Sequence, residues 1–123
     1  MTHQEYAKYE AKVSHFMRGL VAISTGPRPG CPSCLKEYGD VEAIERAETW
    51  FSWSPCEICE STLGGDRCEW HALEAGEIAD PRNIWPEVIH GTCCMDCMYY
   101  LNYGRLDDKT MAEVAQCGVP ACA

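Results

Sequence analysis

The first twenty residues carry apolar side chains at steps of three and four, with charged side chains between them. This periodicity predicts an amphipathic α-helix over about residues 3–21, which we expect to cover a core. Its apolar positions are Tyr6, Tyr9, Val13, Phe16, Met17 and Leu20. The Gly-Pro-Arg-Pro-Gly segment at residues 26–30 then interrupts the pattern and predicts a turn.

Shorter patterns follow along the chain. Asp40 is a predicted N-cap for a second helix over about residues 41–50. Aromatic alternation over residues 50–54 predicts a strand, and further short strands are predicted over 68–71 and 88–90. A C-terminal helical segment is predicted over about 97–117, with Asp107 or Asp108 capping its last helix.

Ten cysteines in 123 residues change this picture, because most of them stand in C-x-x-C or C-x-x-H pairs. Two such ligands can bind one Zn²⁺ from a single tight turn, and two turns complete a tetrahedral site. The pairs are Cys31 with Cys34, Cys56 with Cys59, Cys68 with His71, and Cys94 with Cys97.

The strongest predicted zinc site joins Cys56 and Cys59 to Cys94 and Cys97, because each pair follows a predicted strand, as in a zinc ribbon. Cys93 could replace Cys94, but Cys93 and Cys97 would form a wider loop around the metal, so Cys94 is preferred.

A second predicted zinc site combines Cys31 and Cys34 with Cys68 and His71. Two alternatives stay open for it: the tail cysteines Cys117 and Cys122 could replace the Cys68 and His71 pair, or Cys31 and Cys34 could be thiols without metal. His90, close to the Cys94 and Cys97 pair, could enter a site or hydrogen-bond a ligand sulfur.

The expected fold is therefore a single α+β domain over residues 1–123, zinc-ribbon-like, with short antiparallel strands, an N-terminal amphipathic helix and C-terminal helices. Its zinc-binding region spans about residues 31–97. One Zn²⁺, and a second with the second site, are the expected cofactors.

The chain is acidic, with a formal charge of −9 that two filled zinc sites would bring to about −12. Its few Lys and Arg residues are scattered, which disfavours phosphate binding and makes a protein the preferred partner. The start of the sequence does not resemble a signal peptide, and no apolar run is long enough to span a membrane. We therefore expect a cytoplasmic protein, whose cysteines bind metal rather than form disulfides.

Catalysis is not expected, although one segment is similar to part of a known enzyme family. Residues 52–59, Ser-Trp-Ser-Pro-Cys-Glu-Ile-Cys, resemble the zinc-binding segment of cytidine deaminases, which also need an upstream H-x-E. The one H-x-E here, His3 to Glu5, lies far upstream and leaves Cys94 and Cys97 without a role. An HNH-type nuclease would need a histidine order and a basic surface that this sequence lacks.

A longer segment, residues 50–104, resembles small uncharacterised zinc-ribbon-like proteins of bacteriophages and mobile elements. Their pattern reads F-S-W-x-P-C-x-x-C-G-S-x-L-G-G-D-R, followed by His and C-x-D-C. The resemblance maps their recurrent cysteines onto Cys56, Cys59, Cys94 and Cys97, and places Cys93 at a position that is usually apolar. This chain departs from the pattern at Glu60, where Gly is usual, and at Cys68, where His is frequent.

The resemblance implies a phage-type protein, in a bacterial cytoplasm, without an established activity. The preferred function is a non-catalytic accessory protein that docks on host or phage proteins. One alternative is a nucleic-acid-binding ribbon in which aromatic side chains stack on bases, the candidates being Trp50, Trp53, Trp70 and Tyr99. Another is an acidic mimic of nucleic acid that inhibits a basic protein, such as a defence nuclease.

Overall fold

The computed structural model describes residues 1–117, and they form an α+β fold, as predicted. Six helices accompany four strands in this part of the chain. In chain order the elements are α1 His3–Phe16, β1 Leu20–Thr25, α2 Pro32–Tyr38, α3 Val41–Glu45, β2 Trp50–Ser52, β3 Gly65–Glu74, α4 Ala75–Ala79, β4 Ile89–Cys94, α5 Met95–Tyr103 and α6 Asp108–Cys117.

The N-terminal helix is shorter than predicted. It begins with a capping box, in which Thr2 and Glu5 satisfy each other's backbone N–H groups, and ends at Phe16. Gly19 has φ +78°, a left-handed conformation that glycine adopts without steric cost. The chain therefore leaves the helix before Leu20, which starts β1 instead of closing the apolar stripe.

The helix predicted over residues 41–50 corresponds to α3 and is also shorter than predicted. Asp40 caps it as expected, its side chain accepting a hydrogen bond from the Ala43 N–H at 2.8 Å. The helix ends at Glu45, five residues before the predicted end, and β2 begins at Trp50.

Strand β3 is the centre of the antiparallel sheet. Strand β4 pairs with one edge of β3, at residues 67–72 of β3. Strands β1 and β2 pair with the opposite edge, at residues 70–74 and 65–67 of β3. Six consecutive residues of β3, 67–72, are buried, so both faces of this strand are covered.

Two groups of buried apolar residues pack against the sheet. The larger contains Tyr9 and Val13 of α1 together with Cys68, Trp70 and Ala72, the alternate positions of β3. The smaller contains Cys31, Cys34 and Ile44, contributed by α2, α3 and the turn before them. None of the described helices is long and apolar enough to cross a membrane.

Candidate metal centres

The first candidate metal centre contains the four cysteines predicted for it, Cys56, Cys59, Cys94 and Cys97, whose sulfur atoms all lie within 4.8 Å of one another. Cys56 and Cys59 come from the turn after β2, while Cys94 ends β4 and Cys97 lies in the first turn of α5. The Sγ atoms of Cys56 and Cys97 are 3.8 Å apart, and so are those of Cys59 and Cys94. Four sulfurs at about 2.3 Å from one Zn²⁺ would lie about 3.8 Å apart, so the group fits a tetrahedral metal ion.

Two further contacts fix sulfur atoms of this centre. The backbone N–H of Cys94 donates to the Sγ of Cys56 at 3.3 Å, and the hydroxyl of Tyr9 donates to the Sγ of Cys97 at 3.2 Å. Tyr9 is buried, and that burial, together with its contact with Cys97, raises the pKa of its phenol. The tyrosine is therefore a hydrogen-bond donor to the sulfur at every ordinary pH.

The four thiols have unequal proton affinities. Contacts with Cys59, Cys94 and Cys97 hold the pKa of Cys56 far below its usual value. The contact with Cys56 acts to raise the pKa of Cys59, but contacts with Cys94 and Cys97 outweigh it and leave that pKa at about 7. Contacts with Cys56 and Cys59 raise the pKa values of Cys94 and Cys97. The close contacts among the four thiols thus favour fewer than four bound protons near neutral pH when no metal is bound.

The second candidate centre contains Cys31, Cys34 and His71, all buried, with ligand atoms within 4.8 Å of one another. The Sγ of Cys34 is 3.2 Å from the Nε2 of His71, slightly closer than the about 3.6 Å expected for two ligands of one Zn²⁺. Burial, and then electrostatic interactions with His90 and Arg28, lower the pKa of His71. A neutral imidazole is the form that binds metal.

Cys68, the fourth ligand predicted for this second centre, does not join it. Side chains three residues apart on a strand point to opposite faces of the sheet, and both Cys68 and His71 lie within β3. Cys68 instead lies opposite Cys93 of the neighbouring strand β4, and their sulfur atoms are 3.7 Å apart. A C-x-x-H pair can bind one metal from a turn, but it cannot do so from an extended strand.

Other residues are predicted as alternative ligands, namely His90 and the tail cysteines. His90 lies opposite His71 on β4, with the two rings 6.1 Å apart at an interplanar angle of 26°, but its side chain is exposed and outside the group. Cys122 lies outside the described residues, and the side chain of Cys117 is likewise not described. The eight cysteines from Cys31 to Cys97 are free thiols, without a disulfide among them.

The chemistry of both donor sets fits zinc. Thiolate and imidazole ligands favour Zn²⁺ over the oxygen-seeking Mg²⁺ and Ca²⁺. The deaminase-like arrangement does not form at Cys56 and Cys59, because Cys94 and Cys97 occupy the other two places around them. His3 and Glu5 lie on the exposed surface of α1.

Several residues around the centres are not apparent as functional from the sequence. Tyr9 has the spacing of an ordinary core residue, and only the fold places its hydroxyl on a sulfur. Behind the second centre the hydroxyl of Tyr38 donates to the buried carboxylate of Glu69, which satisfies an acidic group beside Cys34. The Glu69 position could have been found from strand parity, since it shares a face of β3 with His71.

Comparisons of this chain with protein-family profiles, with curated proteins and with solved structures give no match. The class of protein that the geometry defines is therefore an α+β fold with two cysteine-rich groups able to hold metal ions.

Proposed function

We propose that the protein is a zinc-stabilised module that binds another protein and catalyses no reaction. The first centre supports the structural role, because four thiolates leave no coordination position for a substrate. Metal bound there would join the turn after β2 to the start of α5, segments far apart in sequence. Such binding contributes directly to the free energy of folding.

The observation that carries the interaction proposal is a set of exposed apolar side chains beside the first centre, which we call the apolar rim: Phe51, Trp53 and Leu63. Their exposed fractions are 55%, 78% and 78%. Phe51 and Trp53 form an edge-to-face pair with ring centroids 4.9 Å apart. Large aromatic side chains exposed to solvent are typical of the sites where proteins bind one another.

The apolar rim meets a cavity of about 670 Å³ at Leu63. Leu63 lines this cavity, and so does Gly64, against which the ring of Trp53 packs. A Cβ atom at Gly64 would lie only 2.4 Å from that ring, so glycine is what allows the indole to lie flat there. Cys59 and Cys94 of the first centre line the same cavity, and metal binding would therefore set its shape.

Charge indicates what kind of segment would bind there. The chain carries −9, and bound zinc would make it more acidic. The lining of the cavity balances three basic side chains against three acidic ones, so the excess negative charge lies outside it. A partner segment that places an apolar side chain in the cavity and Lys or Arg on the acidic surface beyond it complements both features. The resemblance of residues 50–104 to phage-encoded proteins supports an accessory role on phage or bacterial machinery.

The experiment is capture of proteins from a bacterial lysate on the zinc-loaded chain, followed by binding of the purified partner. We expect one protein to be retained by the wild type and to bind again in purified form. The double variant Phe51→Ser with Trp53→Ser should lose it. Ile84→Ser with Trp85→Ser is the matched control, because that pair is also exposed but lies in a different loop.

Retention by the Phe51 and Trp53 variant would contradict the proposal. So would binding to an oligonucleotide with a steep salt dependence, which would identify a nucleic-acid reader instead. Displacement of the captured protein by duplex DNA would show that the acidic chain occupies that partner's nucleic-acid surface, as mimicry requires.

A further inference from the structure

The second candidate centre borders a cavity of its own. This cavity of about 260 Å³ is several times the ~30 Å³ that one liquid water occupies. Two of the three donors, Cys31 and His71, line it. The first-centre cavity does not include these residues, so the two centres have separate cavities.

Among the described residues this centre supplies three donors, where the first supplies four. Three protein ligands with a cavity beside them are typical of zinc sites that keep a coordination position for an outside ligand, whereas structural sites are closed by four. Cys34, the third donor, packs instead with Ile44 on the side of α3. The free coordination position would therefore face the cavity.

Strand β1 is irregular where it passes this cavity. Its pairing with β3 shifts between Val21 and Ser24, so that one extra residue is accommodated there. Ala22, which lines the cavity, has φ +53°, a left-handed conformation that costs a non-glycine residue about 1–2 kcal/mol. Bulges and strained residues of this kind occur preferentially beside binding sites.

The lining defines what such a ligand would look like. Arg28 is the one residue with a permanent charge among those described around the cavity, and its guanidinium donates to the Ser24 hydroxyl at 3.2 Å. Zn²⁺ with two thiolates and a neutral imidazole has no net charge, and the Glu69 carboxylate beside Cys34 does not line the cavity, so Arg28 is the charge that the lining presents to a ligand. Most of the remaining lining is apolar: Ala22, Pro29, Ala72, Leu73 and Val88.

We propose that the metal at Cys31, Cys34 and His71 keeps its fourth coordination position toward this cavity, and that the position takes a small carboxylate. The carboxylate would bind the metal and Arg28, and its short apolar body would lie against Leu73 and Val88. This inference rests on the proposed function only in requiring that the chain binds zinc, and it adds that the second centre does so as well.

The test is visible spectroscopy of the full chain loaded with Co²⁺, whose d–d bands report the ligands of the metal. Elemental analysis first establishes two metal ions per chain. We expect butyrate to change the bands saturably and butanamide, its uncharged analogue, to leave them unchanged. Azide, a small anion, should also change them. Arg28→Gln should weaken butyrate binding by about tenfold, while His90→Ala leaves the bands of the carboxylate-free protein unchanged.

Bands that respond to neither butyrate nor azide would overturn the inference. A band shift caused by His90→Ala, or by the double change Cys117→Ser with Cys122→Ser, would also overturn it, because it would identify a fourth protein ligand. One metal ion per chain would leave the second centre without metal and reject this inference alone, whereas no metal ion at all would also reject the zinc part of the proposed function. Two metal ions without an anion response would leave that function standing and reject only this inference.

Discussion

The hydroxyl of Tyr9 donates to the Sγ of Cys97 at 3.2 Å, across 88 positions of sequence. This contact joins the N-terminal helix to the first candidate metal centre. A hydrogen bond to a ligand sulfur lowers the charge that the sulfur presents and fixes its position, so the helix and the metal stabilise each other. The buried face of α1 therefore does more than cover the core.

Tyr9→Phe removes this hydrogen bond while keeping the ring. We expect the affinity of the first centre for zinc to fall by about tenfold and the free energy of unfolding to fall by about 1 kcal/mol. Competition with a chromophoric chelator measures the affinity. Tyr100→Phe is the control, because its hydroxyl donates to Glu10 at 2.6 Å and does not contact a sulfur. Equal zinc affinities in the two variants would contradict the assigned role of Tyr9.

Replacing Cys68 distinguishes the observed second centre from the predicted one. Cys68 faces Cys93 and lies on the opposite face of β3 from His71. Cys68→Ser should therefore leave two metal ions per chain, whereas Cys34→Ser should leave one, as measured by elemental analysis. Loss of a metal ion from the Cys68 variant would restore the ligand set predicted from the sequence.

The local parts of the centres could be predicted from the sequence, and the pairing between them only in part. A C-x-x-C turn is encoded by neighbouring residues, so Cys56 with Cys59 and Cys31 with Cys34 follow from spacing alone. The Cys68 and His71 pair has the same spacing, but its residues lie on a strand, where a separation of three reverses the face. Strand parity, applied to the predicted strand over 68–71, would have separated them.

In the fold, too, local features could be predicted from the sequence and contacts between distant segments could not. The class and the start of α1 follow from periodicity and capping residues, but the end of α1 does not. Met17 and Leu20 continue the helical spacing, but the helix ends at Phe16, and the left-handed conformation of Gly19 then directs the chain into β1. The hydroxyl of Tyr9 and the cavity beside His71 depend on contacts between distant segments, which no local pattern encodes.

Glu60 is expected to be a site where glycine stabilises the protein. It has φ +63°, and its N–H donates to the carbonyl of Cys56 to close the first turn of the metal centre. Glu60→Gly should raise the free energy of unfolding by about 1 kcal/mol, because glycine adopts this conformation without the steric cost. Glu60→Ala is the control, since it removes the same carboxylate and keeps the strained backbone. Chemical denaturation of both zinc-loaded variants gives the comparison, and equal stabilities would contradict the strain argument.

Gly91 is expected to be a site where alanine destabilises the protein. A Cβ atom there would lie 2.8 Å from the Nε1 of Trp70, which is buried in the core. Gly91→Ala should therefore lower the free energy of unfolding by about 1–3 kcal/mol. Gly76→Ala is the matched control, because a Cβ atom at Gly76 meets nothing within 4 Å and the residue lies in α4. We expect that variant to be stabilised by about 0.5–1 kcal/mol, and the reverse order of the two thermal midpoints would reject the packing argument.

Zinc binding at the first centre should release protons in a number that its pKa values set. At pH 7.5 the pKa of Cys59, about 7, lies below the solution pH, and that of Cys56 lies further below. Cys94 and Cys97, whose pKa values are raised by their contacts with Cys56 and Cys59, still hold their protons. Metal requires all four thiolates, so filling this centre should release fewer than four protons.

The measurement is titration of the metal-free chain with Zn²⁺ in weak buffer containing a pH indicator, on the Cys34→Ser variant so that only the first centre fills. Because the zinc-bound form holds fewer protons than the metal-free form, zinc affinity must fall as the pH falls. The same titration at pH 6, below the pKa of Cys59, should release more protons than at pH 7.5. Release of four protons at both pH values would show that the thiols do not share charge before the metal binds.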